Sequence, residues 1–210
     1  MLRALRRRLG PPSFRLTYCY NVTLGRRDFY RQLCQALGLT PSATAASVFF
    51  AVSTHVQSLV EHRSYPVFVL DEAHLLHQDV LEHLHILLNY EWDAKALLSL
   101  VLVGLPELED RLALRKNRSL YSRIHHRFGI ESWPEHDTAA YIEMRLAKVG
   151  GAGRTLFSPE ALSALHEVGS GSLREIDRVA TASLKVAAGK KGKVVEAKHV
   201  GQANTRQIEI

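Results

Sequence analysis

The spacing of apolar residues changes several times along the chain, and each change marks a predicted element. Leu2, Leu5 and Leu9 stand at helical spacing before Gly10-Pro11-Pro12 stops the run. Phe14–Asn21 is a short β-like run, and Asp28–Leu37 reads as a helix ended by Gly38. Ala46–His62 keeps apolar residues at 48, 49, 52, 56, 59 and 60, one face of a helix. After Pro66, Val67–Leu70 is apolar without alternation and closes on Asp71-Glu72. A run apolar on both faces suits a central strand of a parallel sheet covered by helices. Leu76–Tyr90 returns to helical spacing through Leu81, Leu84, Leu87 and Leu88, and Leu97–Val103 is a second buried strand closed by Gly104-Leu105-Pro106. Glu107–Leu114 reads as a helix, Ser119–Ile124 as a helical turn and His126–Ser132 as a third strand candidate.

The pattern changes after Trp133-Pro134. His136–Val149 is helical, Gly150–Gly153 is a linker, Ser158-Pro159 opens a helix to Val168, and Ser172 caps a long helix to about Ala188. A last short helix covers Glu196–Ala203. Strands alternating with helices predict an α/β domain with a parallel sheet flanked by helices over 1–134. Four helices without a strand predict a small all-α domain over 135–210.

Composition leaves this picture standing. The 210 residues are 46% hydrophobic and 23% charged, which excludes a disordered or fibrous chain, and no apolar run is long enough to span a membrane. Two cysteines, Cys19 and Cys34, cannot make a disulfide framework and suit a reducing, cytoplasmic setting. The Arg-rich start, free of acid until Asp28, reads as a basic amphipathic helix; an organellar transit peptide is Arg-rich too, but is usually rich in serine as well. The net charge of +6 is unevenly distributed: +7 over 1–66, −5 over 67–137 and +4 over 138–210. Both basic ends allow a polyanionic partner such as DNA, and Lys190, Lys191, Lys193 and Lys198 are either a solvated turn or a contact to a DNA backbone.

Candidate chemistry gathers in the acidic middle. Asp71 and Glu72 end a buried parallel strand at its carboxyl end, where open α/β sheets bind ligands. An aspartate there can hold Mg²⁺ on nucleotide phosphates, and an adjacent glutamate can polarise an attacking water; the plainer reading is an acidic helix start. Asp71-Glu72-Ala73-His74 also spells the DEAH of some helicases. Those enzymes carry Ser-Ala-Thr after DEAH and a second recombinase-like domain, whereas Ser42-Ala43-Thr44 precedes it here. The four histidines at 74, 77, 83 and 85 lack the paired spacing and cysteines of a zinc site.

The ordered set VFVLDEAHLL (67–76), LLNYEWD (87–93), LLSLVLVGLPELEDRL (97–112), SRIHHRF (122–128), HDTAAYIEMRL (136–146), LFSPEAL (156–162) and GSLREIDRVATASL (171–184) resembles an AAA+ ATPase. More narrowly it is similar to the branch that holds the secretion ATPase ExeA and TniB-like transposition helpers. The resemblance implies a P-loop NTPase-like sheet followed by a helical lid, with ATP and Mg²⁺ as cofactors. It implies Asp71 as the Walker B aspartate, holding Mg²⁺ through water, and Glu72 as the catalytic glutamate. Arg123 is then the arginine finger toward a neighbouring subunit, Arg127 its alternate, and Arg174 the lid arginine called sensor 2. The partners implied are further copies of the chain in a ring or filament, with duplex DNA and a transposase, or else secretion-apparatus proteins.

Two departures from the family pattern set the expected activity. No Gly-x-x-x-x-Gly-Lys-Ser/Thr occurs, so no backbone cradle for phosphates is present, and Leu2–Leu9 matches the helix that follows such a loop; the chain is expected to be N-terminally truncated or naturally shortened. Leu105 stands where this branch usually places a polar sensor 1 side chain. Little or no ATP hydrolysis is therefore expected of these residues alone. The alternative is a non-catalytic scaffold that uses the basic residues of 1–31 and 174–198. An interrupted sheet would also leave an unpaired edge and favour self-association.

Overall fold

The structure is a computed structural model that describes residues 2–20, 23–41, 44–90 and 95–208. Ser42 and Ala43 of the Ser-Ala-Thr string, Asn21, and residues 91–93 of the LLNYEWD motif lie outside the described residues. The chain divides into two compact units, residues 1–128 and 129–210.

The first unit runs α1 (Leu2–Arg8), β1 (Phe14–Cys19), α2 (Arg26–Ala36), α3 (Ala45–Glu61), β2 (Tyr65–Leu70), a 3-10 turn (Ala73–Leu75), α4 (Gln78–Leu87), β3 (Ser99–Leu102), α5 (Glu107–Ala113), a second 3-10 turn (Arg115–Asn117) and α6 (Arg118–Tyr121). All three described strands are parallel in the order β1-β2-β3, so the apolar run at 67–70 is central, as its lack of alternation implies. Register places Thr17 and Leu100 beside Phe68, and Cys19 and Leu102 beside Leu70. Paired residues of a sheet share a face, and this face carries the core: Cys19, Phe68 and Leu70 pack with Phe29, Tyr30 and Leu33 of α2, Val48, Val52 and Val56 of α3, and Leu81, Leu84 and Leu87 of α4. Val67 and Val69, on the other face, are also buried. Thr44 caps α3 by accepting from the Ser47 amide, one of the amides that the helix itself leaves unpaired.

His126–Ser132 is not a strand: residues 124–134 have no regular structure, and Phe128 and Ile130 are exposed. The run has strand composition, but a strand forms only where a neighbouring edge accepts its ladder, and nothing pairs with it among the described residues. The helix expected from Leu76 begins only at Gln78, because the chain first makes the 3-10 turn and His77 then takes the N-cap.

The second unit holds α7 (Glu135–Ala147), α8 (Pro159–Gly169), α9 (Leu173–Gly189) and α10 (Ala197–Ile208) around Ile142, Phe157, Leu165, Ile176, Val179, Val195 and Val200. Ser158 caps α8 on the Ala161 amide, with Pro159 in its first turn. Ser172 stands at the N-cap of α9, but its hydroxyl makes no capping bond; its amide donates to the Gly169 carbonyl instead. Gly171 before it has φ +70°, and a Cβ there would lie 2.5 Å from the Trp133 carbonyl oxygen, so only glycine fits this turn. The last helix extends five residues beyond the expected Ala203.

Candidate nucleotide site

Asp71 and Glu72 leave β2 in a turn that backbone bonds hold on both sides. The Asp71 amide donates to Cys19 O at 3.0 Å, the Val103 amide to Leu70 O at 2.9 Å, and the Ala73 amide to Val103 O at 2.7 Å. β2 therefore delivers the two acids between β1 and the loop after β3. Glu72 takes a left-handed conformation, φ 54° and ψ 35°, uncommon for a residue with a Cβ. This turn places Ala73 in the core while the Glu72 side chain stays 57% exposed.

Both oxygens of Asp71 have partners within the chain. Oδ1 accepts from the Glu72 amide at 3.1 Å, and Oδ2 accepts from the Tyr18 hydroxyl at 2.6 Å. The hydrogen bond to Asp71 comes first among the causes that push the Tyr18 phenol up to about 12. Tyr20 stacks beside Tyr18 with ring centroids 6.5 Å apart. A carboxylate offers about four acceptor positions, so Asp71 keeps about two for waters of a hydrated metal ion and fits that task. Among the described residues no three His, Cys, Asp or Glu side chains converge on one point.

His74 ties the acid turn to the loop after β3. Its Nδ1 lies 3.4 Å from the Leu105 amide and 3.7 Å from Glu72 Oε2. With the Leu105 N–H donating to Nδ1 that nitrogen carries no proton, so the Glu72 contact is not an ion pair in the neutral imidazole. Gly104 allows this approach: a Cβ there would stand 3.0 Å from the His74 amide nitrogen and 3.3 Å from its Nδ1. Arg111 of α5 closes the turn from beneath. Its guanidinium donates to the His74 carbonyl and, at 2.6 Å, to the Leu76 carbonyl. Leu105 itself is exposed, with an aliphatic side chain at the position expected to be a sensor.

Arg123, Arg127 and Arg174 belong to other segments of the chain. Arg123, just after α6, donates to Ser119 O at 2.9 Å. Arg127 lies 3.5 Å from Glu109 Oε1, with its guanidinium 4.2 Å above the Tyr121 ring. Arg174, in the first turn of α9 in the second unit, lines a surface groove of about 480 Å³ with Arg145, Asp177, Arg178 and Lys185. Sequence reasoning missed Tyr18, His74 and Arg111. Only His74 carried a signal, its place two residues after the acid pair.

Comparison with known proteins gives the family and the fold. Residues 1–112 match the model of the AAA domain family. General secretion pathway protein A of Aeromonas hydrophila is 32% identical over 176 residues, 83% of this chain and 32% of that protein, so the chain spans about a third of that relative. Among solved structures, Aeropyrum pernix ORC2 in its ADP form superimposes with a TM-score of 0.66 at 14% identity, over 96% of this chain and 54% of that one. Aeropyrum pernix ORC1 in complex with DNA gives 0.65 at 16% identity, over 92% and 50%. At such identities these two structures establish the fold alone, a P-loop NTPase-like parallel sheet flanked by helices with a helical C-terminal part. The family model covers more than half of the chain, and the chain belongs to the AAA domain family of AAA+ ATPases.

Proposed function

We propose that this chain is the core (1–134) and lid (135–210) of a cytoplasmic, ATP-dependent assembly factor, with nucleotide held between neighbouring copies in a ring or filament. The observation that carries the reading is the position of Asp71 and Glu72 at the carboxyl end of the buried central strand, open to solvent beyond it. ATP and Mg²⁺, when bound, supply the bond to be cleaved and the charge that offsets the phosphates. Asp71, the Walker B aspartate in this reading, would hold the metal through water with its remaining acceptor positions. Glu72 would orient and polarise the attacking water. Arg123, or else Arg127, would reach the neighbour's terminal phosphate, where a guanidinium is worth ~10³–10⁵ in rate in related systems. Arg174 would meet the phosphates from the lid. The ADP form of ORC2, which shares this fold, and the AAA domain match support nucleotide as the ligand. Duplex DNA with a transposase, as in the TniB-like branch, is the partner proposed first.

Residues 1–210 contain no phosphate loop, so this polypeptide alone is expected to release little or no phosphate from ATP. The test is a longer polypeptide that carries Gly-x-x-x-x-Gly-Lys-Ser/Thr ahead of Leu2. It should bind ATP, and its turnover should require Glu72. Failure of such an extension to bind ATP would remove the reading.

The second reading is a non-catalytic scaffold associated with DNA or with a secretion apparatus. Leu105 at the sensor position favours it over hydrolysis, and the 32% identity to General secretion pathway protein A supports the secretion partner. Nucleotide-independent pull-down of secretion-apparatus proteins would favour it over the first.

A further inference from the structure

Residues 67–130 of the acidic middle fall into two blocks of opposite sign. Residues 67–110 hold nine carboxylates and one lysine, whereas residues 111–130 hold six cations, Arg111, Arg115, Lys116, Arg118, Arg123 and Arg127, and no carboxylate. Three of these have structural partners already described: Arg111 on the His74 and Leu76 carbonyls, Arg123 on Ser119 O, and Arg127 on Glu109 and Tyr121. Arg115, Lys116 and Arg118 are exposed, and no hydrogen bond, ion pair or ring contact engages their side chains among the described residues.

These three cations stand on an anchored turn. Asn117, only 1% exposed, points inward between them. Its Oδ1 accepts from Gln78 Nε2 and its Nδ2 donates to Arg111 O, both at 2.7 Å. Leu120, three residues on, is 2% exposed and fixes the start of α6 to the core. With Asn117 and Leu120 turned in, Arg115, Lys116, Arg118, Ser119 and Ser122 are turned out. Residues three and four apart share a helical face, so Arg115, Arg118, Ser119 and Ser122 make a short row of cations and hydroxyls.

We propose that this row, Arg115-Lys116-Arg118 with Ser119 and Ser122, is a docking surface for the phosphate backbone of duplex DNA. Like charges held together on a fixed turn repel one another, and a polyanion that carries one charge per ~1.7 Å of axis relieves that repulsion and releases counterions. Arginines with serine hydroxyls are the groups that position backbones rather than read bases. Among the described residues 114–122 the exposed large apolar side chain is the half-exposed Leu114, which is too little for the apolar centre of a protein interface. The inference rests on the DNA partner proposed above and replaces 1–31 and 174–198 as the first place to look.

The test is fluorescence anisotropy of a labelled 30-base-pair duplex with the 210-residue chain, without nucleotide, across a salt series. Changing Arg115, Lys116 and Arg118 together to Gln should weaken binding at least tenfold and flatten the slope of log K against log salt by about 2–3, as expected for three phosphate contacts. Because these side chains hold nothing in place, the triple variant should melt as the parent does. Changing Lys190, Lys191 and Lys193 to Gln, an equal loss of charge, should shift affinity less than about threefold. Unchanged binding in the first variant, or equal loss in both, overturns the surface while leaving the DNA partner standing. No binding of the parent at low salt overturns both, and binding of a polyglutamate peptide in place of DNA would assign the row to an acidic protein.

Discussion

Tyr18 and Asp71, 53 positions apart, meet at 2.6 Å because β1 and β2 pair in parallel with Tyr18 beside Val69. Side chains two apart along a strand share a face, so Asp71 follows Val69 onto the side where Tyr18 stands. One of the two acids of the proposed site is thus aimed by a neighbouring strand and not by its own turn alone. Replacing Tyr18 with Phe removes one bond between exposed groups, and should cost less than about 1 kcal/mol in urea denaturation. Asp71→Asn should bring the Tyr18 ionisation down from about 12 toward that of an ordinary phenol, read from the NMR shift of its ring carbon. A Tyr18 titration that Asp71→Asn leaves in place would mean that the two groups do not meet in solution.

What could be read from the sequence was local. Val67–Leu70 announces a central strand through its own composition, and Asp71-Glu72 announces the site by ending it. The Tyr18 contact depends on the register between two strands separated by two helices, and no window along the chain contains that information. Arg111 reads as a helix-surface cation, yet its guanidinium reaches 37 residues back to close the acid turn. His126–Ser132 misled for the converse reason: its composition suits a strand, but strand formation depends on an accepting edge, which lies outside the segment.

A side chain at Gly104 should cost stability. In Gly104→Ala the new Cβ would press on the His74 amide nitrogen at 3.0 Å and on Leu108 Cδ2 at 3.2 Å, and backbone gives way less readily than a side-chain tip. A cost of ~1–3 kcal/mol in urea denaturation is expected from such overpacking. Gly129→Ala is the control, since nothing lies within 4 Å of a Cβ there, its φ is outside the left-handed region and it caps no helix. Equal stabilities for the two variants would show that the loop after β3 does not press on His74.

Arg111→Lys tests the clamp beneath the acids. Lysine keeps the charge but has no planar fork to serve two carbonyls at once. The carbonyls of His74 and Leu76 would then lose a donor, and the 3-10 turn Ala73–Leu75 should open more often. Amide hydrogen exchange at Leu75 and Leu76, whose amides bond within this turn, should quicken about tenfold, roughly 1.4 kcal/mol of local opening. Exchange at Phe68 and Leu70, inside β2, should stay slow. Uniform acceleration across β2 and the turn would instead mean that Arg111 supports the whole core.

His83 should make the stability of the first unit depend on pH. Its ring lies edge-on to Tyr30 at 5.5 Å and to Phe49 at 5.4 Å, and its Nδ1 is 3.0 Å from the Tyr30 hydroxyl. Burial raises the Tyr30 phenol well above its ordinary value, so that hydroxyl keeps its proton and shares one hydrogen bond with the imidazole Nδ1, the His83 tautomer setting which of the two donates. Burial first, and then Arg26 and His85, hold the His83 imidazole below the usual histidine value. At pH 8 the ring is neutral whether the chain is folded or not. Below about pH 6.5 the unfolded chain takes up a proton that the folded site refuses. Stability from this group is therefore full above that pH and declines with acid until the lower folded value is passed. His55, lowered by burial and by Arg15, acts in the same direction. The urea midpoint should fall between pH 7.5 and pH 5.5, and His83→Gln, which cannot titrate, should lessen that fall while losing ~0.5–1.5 kcal/mol of ring contact at pH 7.5. A His83→Gln variant with the same pH dependence as the parent would place the responsible group elsewhere.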